Sequence, residues 1–202
     1  MTRIKICGIT NLEDALAAGA AGADGLGFVF RESPRYVSPS RARRIIEALP
    51  ALVTTVGVFM DAPEQQVRET LEQAGLDLVQ LHGNESPEYC ERFRGRVLKR
   101  FPVYVDDTPE RVRARMQGYD VRGYLLDPGA GSGQTFHWEV ARGIDRPLTI
   151  AGGLTPENVA DAVRLLRPYG VDVSTGVEAA PGKKDPERIR AFIQAVKEAD
   201  AT

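Results

Sequence analysis

Short apolar runs alternate along the chain with longer stretches in which apolar residues recur every three or four positions. Short runs rich in β-branched residues are typical of strands buried on both faces, and the longer stretches are typical of amphipathic helices. We therefore expect strands at Arg3–Cys7, Gly25–Phe30, Val53–Phe59, Leu76–Leu81, Val97–Val103, Gly123–Asp127, Leu148–Ala151 and Val171–Thr175. Between and after them we expect helices near Leu12–Ala21, Pro39–Leu49, Pro63–Ala74, Pro87–Phe93, Pro109–Gln117, Trp138–Arg142, Pro156–Leu166 and Pro186–Ala199.

Five of these helices carry the same two-residue start signal. A Ser, Thr or Asp stands directly before a proline, so its side chain can cap the first turn, where proline's missing N–H removes no helical hydrogen bond. The signals predict helix starts at the prolines of Ser38-Pro39, Ser86-Pro87, Thr108-Pro109, Thr155-Pro156 and Asp185-Pro186.

The alternation predicts an α/β fold with a parallel sheet. Eight strand–helix units in 202 residues leave about 25 residues for each unit, which fits a minimal (β/α)8 TIM barrel without insertions. We expect one such domain over residues 1–202, and an open, doubly wound sheet is the alternative. In a barrel the chemistry lies at the carboxyl ends of the strands, so candidate residues are sought there.

The first strand ends in a lysine and a cysteine that share one face. Because strand side chains alternate, Lys5 and Cys7 point into the barrel while Ile4 and Ile6 face the helices. A lysine beside a thiol favours the thiolate, although it could instead pair with the inward Asp172. A small structural cysteine is the alternative reading of Cys7.

The fourth and sixth strands also end in polar residues. Gln80 and His82 share a face, and an inward polar pair at this end predicts a pocket wall that contacts substrate. Asp127 closes an apolar strand, where an unpartnered carboxylate is costly unless it is functional. The glycine-rich segment 129–134 behind it lets the backbone approach a ligand closely.

Two further features indicate an anionic ligand. Arg35 follows a proline after the second strand, and its planar guanidinium could clamp a carboxylate, although a solvated arginine is the alternative. Small residues follow the last two strands, as in the phosphate cradle of many barrels. Tight turns with positive φ are the alternative reading of the glycine pair. The residues are Gly152, Gly153, Ser174, Thr175 and Gly176.

The composition of the chain argues against several classes of partner and site. The 26 basic and 28 acidic residues nearly balance, which argues against nucleic acid or a membrane surface as partner. Two cysteines, Cys7 and Cys90, exclude a disulfide framework, and two histidines supply no metal site, so we expect no metal. Cys90 is interpreted as structural or partly exposed, with no functional role, and the segment Arg92–Arg100 is interpreted as a solvated face. The start of the chain lacks an apolar signal segment, so the cytoplasm is expected.

Seven motifs taken together resemble the phosphoribosylanthranilate isomerase family of tryptophan biosynthesis. The resemblance extends over essentially the whole chain, and the first motif is specific in combination with the fourth. The motifs are Lys5–Thr10, Ser33–Val37, Val56–Phe59, Gln80–Gly83, Leu126–Asp127 with its glycine loop, Ala151–Leu154 and Val171–Glu178.

The resemblance implies a cofactor-free Amadori rearrangement of N-(5-phosphoribosyl)anthranilate, with no metal. It implies that Cys7 is the general base, that Asp127 is the general acid and that Arg35 contacts the anthranilate carboxylate. The glycine pair 152–153 and the segment 174–176 match the phosphate site of the family. Monomers and homodimers both fit the family.

Four positions depart from the family pattern. Ala130 and Ser132 stand where the family usually has glycine and threonine, His137 replaces an aspartate expected to cap a helix, and Thr175 replaces serine. Histidine is the poorer cap, so a looser segment after the sixth strand is expected. Another phosphosugar barrel and a catalytically silent phosphate-binding module are the two competing interpretations.

Overall fold

Eight parallel strands close into a barrel in chain order, with the eighth strand paired to the first. The computed structural model describes residues 1–129 and 135–202, so Ser132 and most of the glycine-rich segment lie outside the described residues. The closed ring confirms the barrel over the open sheet. The strands are β1 (Arg3–Cys7), β2 (Gly25–Val29), β3 (Thr54–Phe59), β4 (Leu78–Leu81), β5 (Val97–Pro102), β6 (Gly123–Asp127), β7 (Leu148–Ile150) and β8 (Gly170–Val173).

Helices follow the strands and cover the outside of the barrel. The α-helices are α1 (Leu12–Ala21), α2 (Pro39–Ile46), α3 (Glu64–Ala74), α4 (Pro87–Glu91), α5 (Pro109–Met116), α6 (Val159–Leu166) and α7 (Pro186–Asp200). The sixth unit has a short 3-10 helix, Trp138–Ala141, in place of an α-helix. Over the two described ranges, no helix is long and apolar enough to cross a membrane.

Four of the five predicted helix starts are confirmed. Ser38, Ser86, Thr108 and Asp185 each accept a hydrogen bond from a backbone N–H in the first turn of the helix that follows. Each of these helices has its proline at the first position, as the two-residue signal predicts.

The fifth start, at Thr155-Pro156, is wrong, because α6 begins at Val159. The Asn158 side chain holds the preceding turn: it accepts from the Thr155 N–H at 2.8 Å and donates to the Gly153 carbonyl at 2.9 Å. These two bonds replace the first helical turn and tie it to the glycine pair after β7.

An antiparallel hairpin between β8 and α7 was not predicted. It consists of β9 (Glu178–Ala180) and β10 (Lys183–Lys184), and Gly182 lies in its turn with a φ of 79°.

The eighth strand is shorter at its carboxyl end than predicted. It stops at Val173, and Thr175 opens a 3-10 helix that ends at Val177.

The first strand follows the predicted alternation. Ile4 and Ile6 are buried in the apolar core, while Lys5 forms an ion pair with Asp172 at 2.8 Å. Lys5 and Asp172 are register partners on β1 and β8, so their side chains project from the same side of the sheet. The lysine of the first motif is therefore neutralised inside the barrel.

The interpretation of Arg92–Arg100 as a solvated face is wrong for the last two residues of that segment. Lys99 is buried, and its Nζ donates to Glu85 at 2.9 Å and to the Gly83 carbonyl at 2.7 Å. The Arg100 Nη2 donates to the Asp127 backbone carbonyl at 3.0 Å. These two residues lie on β5. A barrel strand faces the barrel interior on one side and the helices on the other, so neither of its faces is solvated.

Candidate active site

One pocket at the carboxyl ends of the strands contains every residue that the sequence singled out for catalysis, substrate binding or phosphate binding. The barrel brings these side chains together from six segments of the chain, as the strand-end rule requires. Their separate roles stay predictions. The ten residues are Cys7, Arg35, Gln80, His82, Asp127, Gly152, Gly153, Ser174, Thr175 and Gly176.

Cys7 lies partly exposed in this pocket beside the Lys5–Asp172 pair. The space for its sulfur comes from Gly27, where a Cβ would lie 2.7 Å from Sγ of Cys7 and 3.1 Å from Nζ of Lys5. Lys5 favours the thiolate, as expected, and it also pairs with Asp172, which was the alternative. Desolvation outweighs the effect of Lys5, and Asp172 adds to the rise, so the pKa of Cys7 is raised. Without a ligand, Cys7 therefore favours the thiol.

Asp127, like Cys7, has a pKa that is raised by burial. It is 8% exposed, and the Gly129 N–H donates to its Oδ1 at 2.7 Å. Burial raises the pKa of Asp127 to about 6, with the Gly129 hydrogen bond and the Arg100 charge opposing. An acid with this pKa carries its proton close to neutral pH, which suits a group that donates one.

Gln80 and His82 form a polar chain that leads to Asp127. Nε2 of Gln80 lies 2.8 Å from Nδ1 of His82, and Nε2 of His82 lies 3.7 Å from Oδ2 of Asp127. Burial, and then the charges of Arg100 and Lys5, lower the pKa of His82 to about 3. The imidazole is therefore neutral, and with Gln80 as donor it carries its proton on the nitrogen that faces Asp127.

The Arg35 guanidinium is held at one edge by the protein. Its Nε and Nη2 donate to the two carboxylate oxygens of Glu178 at 2.8 and 2.7 Å, and Nη2 also reaches Oγ1 of Thr175 at 3.2 Å. Nη1 has no protein partner within residues 1–129 and 135–202. That nitrogen therefore keeps two donors for a ligand.

The glycine pair after β7 has the backbone geometry of an anion site. Gly152 and Gly153 have φ values of 87° and 59°, so the tight-turn reading of these glycines also holds. Neither N–H has a partner in the described part of the chain, and both residues line the pocket. A Cβ on Gly176 would collide with the Leu154 carbonyl, so the loops after β7 and β8 touch through their backbones.

Several residues that shape this pocket were missed from the sequence. Arg31 and Ser33 also line it, Arg100 approaches Asp127, and Glu178 and Lys184 hold Arg35 from behind. Ser33 and Glu178 lie within recognised motifs, but nothing in the local pattern singled out Ser33 or distinguished Glu178 from a solvated carboxylate. These contacts depend on elements that are distant in sequence.

Two residues outside this pocket, Cys90 and His137, can be compared with their predicted roles. Cys90 is 2% exposed on α4, and burial raises its pKa to about 11, so it is structural, as expected. His137 stands at the start of the 3-10 helix and makes no side-chain capping bond. The poorer cap inferred from the sequence is thereby confirmed.

Comparison with known proteins identifies the family. The model for N-(5'-phosphoribosyl)anthranilate (PRA) isomerase matches residues 4–195. The N-(5'-phosphoribosyl)anthranilate isomerase of Pelobacter propionicus is 50% identical, covering 98% of this chain and 97% of that protein.

Two solved structures extend the likeness to the fold. Monomers generated from the dimeric phosphoribosylanthranilate isomerase of Thermotoga maritima are 44% identical, with a TM-score of 0.87 over 98% of this chain and 100% of that one. A phosphoribosyl anthranilate isomerase in complex with reduced 1-(o-carboxyphenylamino)-1-deoxyribulose 5-phosphate is 43% identical, with a TM-score of 0.85 over the same shares. The chain belongs to the N-(5'-phosphoribosyl)anthranilate isomerase family, whose members are enzymes of tryptophan biosynthesis.

Proposed function

We propose that this chain isomerises N-(5-phosphoribosyl)anthranilate by general acid and base catalysis, with Asp127 as the acid and Cys7 as the base. The product is 1-(2-carboxyphenylamino)-1-deoxyribulose 5-phosphate, and a relative binds the reduced form of this compound. The observation that carries the proposal is the pair of side chains in one pocket, a carboxyl with a pKa near neutrality and a thiol.

The first step opens the sugar. Asp127 protonates the furanose ring oxygen, the bond from that oxygen to C1 breaks, and the anthranilate nitrogen forms a double bond to C1. The Nε2–H of His82 faces Asp127 and helps to stabilise the carboxylate that remains. Each positioned proton donor or acceptor contributes roughly 10²–10⁴-fold to such a step.

The second step moves a proton from C2 to C1. The Cys7 thiolate removes the C2 proton, and the electron pair flows through C1 to the nitrogen, which gives an enolamine. The enol hydroxyl then loses its proton to the Asp127 carboxylate, while C1 takes a proton from the Cys7 thiol. Both groups return to their starting state, and the net reaction is an isomerisation.

The same geometry supports the binding contacts that we propose. The free Nη1 of Arg35 receives the anthranilate carboxylate, and the unpaired N–H groups of Gly152 and Gly153 receive the phosphate, with the segment 174–176 on the other side. Gln80 forms the wall of the pocket next to the sugar.

Steady-state turnover of the ribotide, followed as the disappearance of substrate fluorescence, tests the proposal. We expect turnover in the wild-type chain and its loss in Cys7→Ala and Asp127→Asn variants that still bind the reduced product analogue. Binding without turnover in the wild-type chain would instead support a silent phosphate-binding module. Turnover of a different phosphosugar alone would support another barrel enzyme.

Assembly and compartment are tested separately. The Thermotoga maritima relative is described as dimeric, with monomers generated from it, so a monomer or a homodimer of this chain fits. Sedimentation equilibrium distinguishes the two. The cytoplasm stays a prediction, and fractionation of the source cells tests it.

A further inference from the structure

A buried charge cluster joins the loop after β2 to the hairpin β9–β10. We call Arg35, Glu178 and Lys184 the hairpin charge cluster. Glu178 lies at its centre: Oε1 accepts from Arg35 Nε at 2.8 Å and from Lys184 Nζ at 2.9 Å, and Oε2 accepts from Arg35 Nη2 at 2.7 Å. The side chains of Glu178 and Lys184 are 4% and 0% exposed, so water does not replace these contacts.

Lys184 anchors the cluster without reaching the ligand. Besides Glu178, its Nζ donates to the Ser174 carbonyl at 3.1 Å and to Ser174 Oγ at 3.3 Å, and these acceptors use its three protons. Burial would raise the pKa of Glu178, but Arg35 and Lys184 together hold it below its ordinary value. Glu178 is therefore ionised near neutral pH and holds Arg35 by charge.

The Arg35 side chain is held both along its stem and at its guanidinium. A Cβ on Gly8 would lie 2.6 Å from Cδ of Arg35, so the stem packs directly on the residue that follows Cys7. Glu178 and Thr175 occupy the Nε and Nη2 donors. The free Nη1 is thus presented in one orientation, on the pocket side of the guanidinium.

We propose that Glu178 and Lys184 are positioning residues that fix Arg35 for the aryl carboxylate of the substrate, so that the hairpin β9–β10 sets the preference for carboxylated substrates. The inference rests on the proposed contact between Arg35 and that carboxylate. Two cations and one anion leave the cluster with surplus positive charge, and the substrate carboxylate supplies the missing partner. A preorganised fork loses less entropy on binding than a mobile arginine.

The test compares two substrates in the full-length enzyme: N-(5-phosphoribosyl)anthranilate and the same ribotide made from aniline, which lacks the carboxylate. Glu178→Gln keeps the side-chain volume and removes the charge. We expect kcat/KM for the carboxylated substrate to fall roughly 10- to 100-fold, mainly through KM, with little change for the aniline ribotide. Glu178→Asp restores part of the loss because the charge returns.

Two further variants separate positioning from folding. Glu85→Gln removes a comparable buried carboxylate, paired with Lys99 at 2.9 Å, and should lower stability while the ratio of kcat/KM values for the two substrates stays unchanged. Arg35→Ala combined with Glu178→Gln should be no worse than Arg35→Ala alone, because Glu178 acts through Arg35. If Glu178→Gln does not fold, Lys184→Met removes the second cation that holds Glu178 and should give a smaller selective loss.

Each failure has a distinct signature. Equal kcat/KM for the two substrates in the wild-type enzyme would remove the Arg35 contact from the proposed function. If Arg35→Ala abolishes the preference but Glu178→Gln, or Lys184→Met in its place, leaves it intact, the positioning role is overturned. Equal losses on both substrates would show that the cluster only supports the fold.

Discussion

Replacing Asp127 with asparagine should stabilise the protein while it removes most of the activity. The substitution keeps the side-chain shape, and the amide oxygen can still accept the Gly129 N–H bond of 2.7 Å. It removes a proton donor, for which we expect kcat/KM to fall roughly 10²–10⁴-fold. It also removes a buried carboxylate. Among the residues that the structure describes, no cationic side chain makes a direct hydrogen bond to this carboxylate.

The gain in stability follows from the pKa. Burial raises the pKa of Asp127 from its ordinary 3.8 to about 6, and each unit corresponds to about 1.4 kcal/mol. The folded protein therefore binds this proton more tightly than the unfolded chain, and stability falls as the pH rises from about 4 to 6. Above pH 6 the ionised carboxylate lowers the free energy of unfolding by up to ~3 kcal/mol, a penalty that asparagine does not have.

Urea denaturation of the wild-type and Asp127→Asn proteins at pH 7 and pH 4 measures this effect. We expect the variant to be the more stable at pH 7, by up to ~3 kcal/mol, and the difference to shrink at pH 4, where the wild-type carboxyl is protonated. Asp172→Asn is the matched control: it breaks the buried pair with Lys5 and should destabilise by about 3–5 kcal/mol. An Asp127→Asn variant that is less stable than wild type at both pH values would refute the reasoning.

Three other substitutions test the remaining assignments. Cys7→Ser should lower kcat/KM at least 10²-fold with an unchanged circular dichroism spectrum, because a serine hydroxyl is a far weaker acid than a thiol; near-wild-type turnover would remove Cys7 from the mechanism. Arg35→Lys should fail to restore the KM lost in Arg35→Ala, since an ammonium cannot replace the planar fork, and steady-state kinetics of both variants would show it. Gly153→Val should raise KM far more than it lowers kcat, because its φ of 59° and its free N–H both serve the phosphate; a change confined to kcat would contradict this.

The fold was largely readable from the sequence because it depends on local pattern. The alternation of strand and helix stretches predicts the barrel, and the rule that barrel chemistry lies at strand ends collects the pocket residues. Ser38 and Asp185 cap their helices as expected, since a cap is a contact within one turn. The helix expected after Thr155 begins instead at Val159, because the Asn158 side chain bonds to the Thr155 N–H and to the Gly153 carbonyl and holds this segment in a turn.

The electrostatics could not be read in the same way. The pKa of Cys7 depends first on burial and then on Lys5, and the pairing of Lys5 with Asp172, 167 positions away in the chain, was only one of two alternatives in the sequence. Likewise Arg100 belongs to a run of arginines, and only the pairing of β5 with β6 brings it to Asp127. Such contacts are set by the order and register of the strands, which hydrophobic periodicity does not specify.

The pH dependence of kcat/KM in the wild-type and Asp127→Asn enzymes tests acid and base catalysis most directly. The reactive form has a protonated Asp127 and a Cys7 thiolate, although the pKa of Cys7 is the higher of the two. For the wild type we predict a bell whose rising limb lies near pH 6 and reports Asp127, and whose falling limb at alkaline pH reports Cys7. In Asp127→Asn the limb near pH 6 should disappear, and the residual rate should rise with pH until Cys7 is ionised. The same limb near pH 6 in both enzymes would contradict the assignment of Asp127 as the acid.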